Sequence, residues 1–170
     1  MKRRTALIAA PLVLVPALGW ADEPKVADLS GALRWLDKLE ATPQARTTGA
    51  WPLVAVLEHL SQSIEMSMDG FPKENSALFQ RTLGAAAFGF FGWRGRMSHG
   101  LAEPIPAAPA LTMSGDWKPA AQRLRAAIAR FNAHTGVLRP HFAYGALDKA
   151  DFARAHTFHI ANHQDEIVLA

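Results

Sequence analysis

The chain has no cysteine, a single tyrosine and, across its first 21 residues, no acidic side chain. The missing thiols exclude disulfides, thiolate metal sites and a cysteine nucleophile together. The formal charge of +3, from 18 Lys and Arg against 15 Asp and Glu, owes everything to Lys2, Arg3 and Arg4. Without them 15 bases face 15 acids. A neutral chain with 19% charged residues lacks the clustered Lys and Arg that neutralise phosphates, so nucleic acid is not an expected partner. Phosphate-binding glycine loops, dinucleotide fingerprints and H-E-x-x-H are also absent. What remains is a chain that is 49% hydrophobic, apolar enough to fold alone and long enough for one core.

Residues 1–21 open on Lys2, Arg3 and Arg4, run apolar from Ala6 to Leu18, and close on Gly19, Trp20 and Ala21. This is the order of a secretory signal peptide. The apolar run is too short for a membrane span and contains Pro11 and Pro16. Arg3-Arg4-Thr5-Ala6-Leu7 also resembles the twin-arginine signal. Either export route predicts cleavage before Asp22, a periplasmic protein, and one domain over residues 22–170 with no stable membrane insertion.

Helical periodicity dominates that domain, and no alternating run is long enough to build a sheet. The first stretch, about Val26 to Leu39, places Leu29, Leu33, Leu36 and Leu39 on one stripe. The second starts near Trp51-Pro52, continues through Leu53, Val56, Leu57, Leu60, Ile64 and Met68, and stops at Asp69-Gly70-Phe71-Pro72. A third, about Asn75 to Phe91, carries Phe79, Leu83 and Phe90, and its glycines predict a break near Gly92. Phe88, Phe90, Phe91 and Trp93 read as core or pocket wall. Residues 101–119 contain Pro104, Pro106, Pro109 and Pro119, so they form a surface crossover rather than a helix. A fourth helix is expected from Pro119 to Ala133, and a last one from Asp148, with Asp151 in its first turn, to about Val168. The economical fold is an all-α bundle with one long Pro-rich crossover.

The last helix carries His156, His159 and His163, which fall within an arc of about 60° on one face. Phe152, Ile160 and Ile167 lie on or beside that arc, so the histidines line the stripe that faces the core. His159 and His163, one turn apart, can reach a single ion at about 2.0–2.1 Å. His59, on the flank of the second helix's apolar stripe, is the candidate to complete the site. Three histidines with an open position is the arrangement of a catalytic zinc. Zn is the first candidate, and neutral imidazoles also suit Ni, Cu and Fe. Glu58, Gln62 and Glu65 are candidates to orient a ligand or act as general base, against the reading that they form a solvated face. His99 follows Ser98, but without an acid motif or nucleophile elbow it makes no Ser/His dyad. His134 and His141 are further candidates for a place near the metal.

Leu57-Glu58-His59-Leu60-Ser61-Gln62-Ser63-Ile64-Glu65, Gly70-Phe71-Pro72 and Tyr144-Gly145-Ala146-Leu147, followed by His156, His159 and His163, resemble the DinB/YfiT-like superfamily. The match is to an uncharacterised branch, domain of unknown function 1569. The resemblance covers nearly the whole domain. It implies a four-helix bundle of up-down-down-up type binding a divalent metal through one histidine of the second helix and an H-x-x-x-H pair of the last. Carried over, the ligands are His59, His159 and His163, with His156 behind them or in the pocket. Thiol-dependent transferases and isomerases occur in that superfamily, mostly in the cytoplasm, whereas this chain carries an export signal. The expectation is therefore a metal-dependent hydrolase or transferase acting on a small molecule, with a homodimer as a candidate assembly. The alternative is a non-catalytic metal- or small-ligand-binding bundle.

Overall fold

The computed structural model describes residues 24–169; the signal peptide expected over residues 1–21 lies outside them. The described chain is mostly helical. Helix α1, Leu29–Glu40, starts where the Asp28 carboxylate accepts from the Gly31 N–H, and buries Leu29, Ala32, Trp35, Leu36 and Leu39. Helix α2, Leu53–Asp69, begins after Pro52, whose carbonyl accepts from Val56 N–H at 3.2 Å, and ends at Gly70 with φ +110°. That backbone conformation favours glycine. Helix α5, Lys118–Ala133, buries Ala120, Ala121, Leu124, Ala127, Ile128 and Phe131 on one stripe. Helix α6, Lys149–His163, is capped by Asp148 accepting from Asp151 N–H at 2.7 Å. These four helices pack around one core, with α2 against α5 and α6, and α1 against the same two. Arg123 of α5 forks onto Glu65 of α2 with bonds of 2.9 and 2.6 Å, and Arg125 reaches Asp37 and Glu40 of α1. Among the described residues no helix is long and apolar enough to cross a membrane.

The structure corrects the expected third helix. It is a short turn α3, Ala77–Phe79, a π-helical turn over Gln80–Gly84, and α4, Ala85–Arg94. It does not break at Gly92 but ends at Gly95, whose φ of +71° closes it in the left-handed region. It also lies outside the core. Leu78, Leu83, Phe90 and Trp93 are exposed, and of the aromatic cluster only Phe88 is buried. The last helix stops at His163, five residues short of Val168, and gives way to a 3-10 turn over Gln164–Glu166. Strand β2, Ile167–Val168, then pairs antiparallel with β1, Arg46–Thr47. This two-residue ladder, extended by Thr48 N–H donating to Glu166 O at 2.7 Å, ties the end of α6 to the segment before α2.

The crossover is likewise not a simple surface connection. It runs against α2, with Thr112 N–H and Oγ1 on the Glu58 carboxylate and Pro109 O accepting from Gln62 Nε2 at 3.0 Å. Ile105 is buried, and Ala107 takes a φ of +62°.

Candidate metal centre

Helix α2 buries more polar side chains than a bundle core normally carries: His59, Ser61, Gln62, Ser63 and Ser67. Ser61 and Ser67 satisfy themselves by donating to carbonyls of their own helix, Leu57 O at 2.7 Å and Ile64 O at 2.6 Å. Gln62 donates to the crossover. His59 is different. Its Nε2 lies 3.0 Å from His159 Nε2 on α6, and its Nδ1 is buried without a hydrogen-bond partner. Either tautomer of His59 therefore leaves one nitrogen unsatisfied, at a cost of about 1–3 kcal/mol.

His163 completes the group. One atom each of His59, His159 and His163 can be chosen so that all three lie within 4.8 Å of one another, and all three residues are buried. His163 Nδ1–H donates to Glu166 Oε1 at 2.7 Å, which leaves Nε2 as a bare lone pair, buried and without a partner. The other Glu166 oxygen lies over Gly49, where a Cβ would come within 1.8 Å of it. A carboxylate holding the far nitrogen of a histidine is the support that metal-bound imidazoles commonly have, fixing tautomer and ring direction. Burial pushes the Glu166 carboxyl up. It also holds the histidines neutral: His59 is lowered to about 4 by burial and then by His99, His163 to about 3, and His159 well below its usual value. Neutral imidazoles that each offer one nitrogen within 4.8 Å of the others form a donor set that fits a divalent ion of borderline softness.

The other histidines divide clearly. His156, fully buried, spends Nε2 on Ser67 Oγ at 3.2 Å and packs against Phe131 and Phe152. It forms part of a cavity wall. His141 Nδ1 accepts from the N–H groups of Ala143 and Tyr144, and its ring stacks on Tyr144 at 4.3 Å. His134 lies at the end of α5, away from the trio, with its carbonyl accepting from Lys149. Glu58, Gln62 and Glu65, the candidates for orienting a ligand, are engaged instead by Thr112, Pro109 and Arg123. Glu166 does the orienting that was sought on α2, and its signal was an acid three residues beyond the last histidine. His99 is the second residue not foreseen at the site: its ring packs against those of His159 and His163 at 4.9 and 5.4 Å.

A cavity of about 290 Å³ opens on this group. His59, His159 and His156 form one wall, the loop from His141 to Tyr144 another, and Met97 with Glu103 and Ile105 of the crossover a third. Among the described residues, no Lys or Arg lines it.

Neither a curated protein nor a solved structure matches the chain. The family described as protein of unknown function (DUF1569) matches residues 22–169, a span that includes every helix and every histidine above, and the chain belongs to that family.

Proposed function

We propose that this protein is an exported, divalent-metal-dependent enzyme acting on a small molecule by hydrolase or thiol-transferase type chemistry. His59, His159 and His163 would hold the ion, Zn first and Ni next. The observation that carries this reading is the pair of buried nitrogens without partners, His59 Nδ1 and His163 Nε2, within a trio that opens on a cavity. The chemistry a divalent ion supplies there is polarisation of a substrate atom, or acidification of water or a thiol. The chain's own residues do the rest. Glu166 keeps the His163 proton on Nδ1, His156 and Tyr144 shape the wall, and Ile105 with its flanking prolines shields the cavity from bulk water. With no Lys or Arg among the described residues that line the cavity, the positive charge a substrate meets there would come from the bound ion.

We read α1, α2, α5 and α6, which pack around one core, as a DinB-type four-helix bundle of up-down-down-up order, with α3 and α4 as an outlying excursion before the crossover. Export is supported by the leader pattern and by a family match that begins at residue 22, where cleavage is expected. The non-catalytic alternative differs in using the ion only to join α2 to α6.

Elemental analysis of the protein from the periplasmic fraction tests the assignment. One divalent ion per chain is expected. His59→Ala, His159→Ala and His163→Ala should each lose most of it, and His156→Ala should keep it. Metal at 100-fold excess over Kd should stabilise the wild type by about 2.7 kcal/mol and leave the three variants unmoved. Stoichiometric metal in His59→Ala overturns the ligand set. A cavity that turns over no small ester or thiol-reactive electrophile with the ion bound leaves the non-catalytic reading.

A further inference from the structure

The segment between α4 and the crossover brings a fourth histidine beside the trio. His99 Nδ1 lies 2.9 Å from Gly100 O. A carbonyl only accepts, so the proton is on Nδ1 and Nε2 is a lone pair. That Nε2 is buried and has no hydrogen-bond partner. The same two features, an Nδ1–H tied to an oxygen and a bare, buried Nε2, mark His163.

Ring positions agree. Within the trio the centroids are 4.8 Å (His59 to His159), 5.3 Å (His59 to His163) and 5.0 Å (His159 to His163) apart. His99 stands 4.9 Å from His159 and 5.4 Å from His163, within 0.1 Å of the trio's longest separation. Imidazoles arranged tetrahedrally around one ion at about 2.0–2.1 Å have ring centres roughly 5 Å apart.

We infer that His99 is a fourth protein ligand of the metal ion, delivered through Nε2 by the segment that leads from α4 into the Pro-rich crossover; this rests on the proposed three-histidine centre. The set then has two kinds of member. His59, His159 and His163 are fixed on helices, His163 by a buried carboxylate as well. His99 rides on a stretch without helix or strand, between Met97 and Glu103, which both line the cavity. It is therefore the ligand that a substrate entering the cavity replaces, and the crossover couples substrate entry to an opening of the metal shell.

X-ray absorption on the wild-type protein loaded with Zn counts imidazoles directly. Four are expected, falling to three plus a water oxygen in His99→Ala, with the ion retained but weakened by more than the roughly 10–100-fold that loss of a supporting hydrogen bond costs. In the Co-substituted proteins, azide titrated by visible absorption should bind His99→Ala more tightly than wild type, because in the variant it displaces only water. His134→Ala, altered outside the centre, should match wild type in both measurements. Three imidazoles in the wild type, with azide affinity unchanged in His99→Ala, overturns the inference and leaves the three-histidine reading standing. A wild type that binds no ion overturns that reading instead.

Discussion

Helix α2 buries side chains on nearly every face from Leu53 to Met68, whereas the stretch from Ala77 to Arg94, with five Phe and Trp where α2 has none, leaves Leu78, Leu83, Phe90 and Trp93 in solvent. Hydrophobic content ranks the two in the wrong order. What separates them is neighbours. Helix α2 is flanked by α5 and α6, so even its serines and His59 are enclosed. The Ala77–Arg94 stretch meets the rest of the chain on one narrow side, through Gly84 against Ala143 and Phe88 against Tyr144 and Arg154. Burial in α2 follows from its place between neighbours, whereas apolar residues outside the core mark a segment the core does not need.

Truncation gives the widest contrast. Ile64→Ala should cost about 2–5 kcal/mol by denaturant unfolding, because the site is closed on all sides and leaves a cavity. Leu83→Ala and Trp93→Ala should stay within about 0.5 kcal/mol. Equal costs at Ile64 and Trp93 would mean that Ala77–Arg94 is covered in solution.

Glycines sharpen the comparison within the exposed stretch itself. A Cβ on Gly84 would come within 2.0 Å of Ala143 O, a backbone atom that cannot step aside. Gly84→Ala should therefore destabilise by about 1–3 kcal/mol. Gly89 has nothing within 4 Å of a Cβ, and Gly89→Ala should stabilise by up to about 1 kcal/mol through helix propensity alone. Opposite signs at two glycines five residues apart would locate the single line of attachment. Matching signs would deny it.

Acid probes the enclosed side. Burial and neighbouring His141 lower His156 from 6.5 to about 3, so between those values the unfolded chain binds the proton and the folded one does not. Stability from this group is complete above about pH 6.5 and is lost as pH falls toward 3, at about 1.4 kcal/mol per pH unit. His156→Phe should flatten the metal-free protein's acid limb by about that slope, read from urea midpoints at pH 6.5, 5.5 and 4.5. An unchanged limb would show that His156 is not enclosed as described.

Much of the centre was legible because it is local. His159 and His163 share a face by helical arithmetic, and Leu53, Val56, Leu57, Leu60 and Ile64 declare which side of α2 is inward, with His59 at its edge. Glu166 and His99 were not legible in the same way. Glu166 reaches back only after α6 tightens into a 3-10 turn, a change no periodicity marks. His99 depends on where a proline-rich segment travels. Prolines forbid a helix but carry no address; contacts with Glu58 and Gln62 supply it. The exposed third stretch misled for a related reason: its apolar spacing promised a partner surface that the core gives to α1 instead.

The two-residue ladder between Arg46–Thr47 and Ile167–Val168 has a practical consequence for protein engineering. Any fusion after Ala170 begins eight residues beyond His163, close behind Ile167 and Val168, which β1 holds in the ladder. A polyhistidine purification tag placed there would bring foreign imidazoles near the three histidines, and a bulky partner would pull on the turn that seats Glu166. Because the opposite end is expected to be clipped during export, an internal handle is the safer design. Gly89, exposed on α4 with open space around it, offers a place for a single engineered cysteine in a chain that otherwise has none.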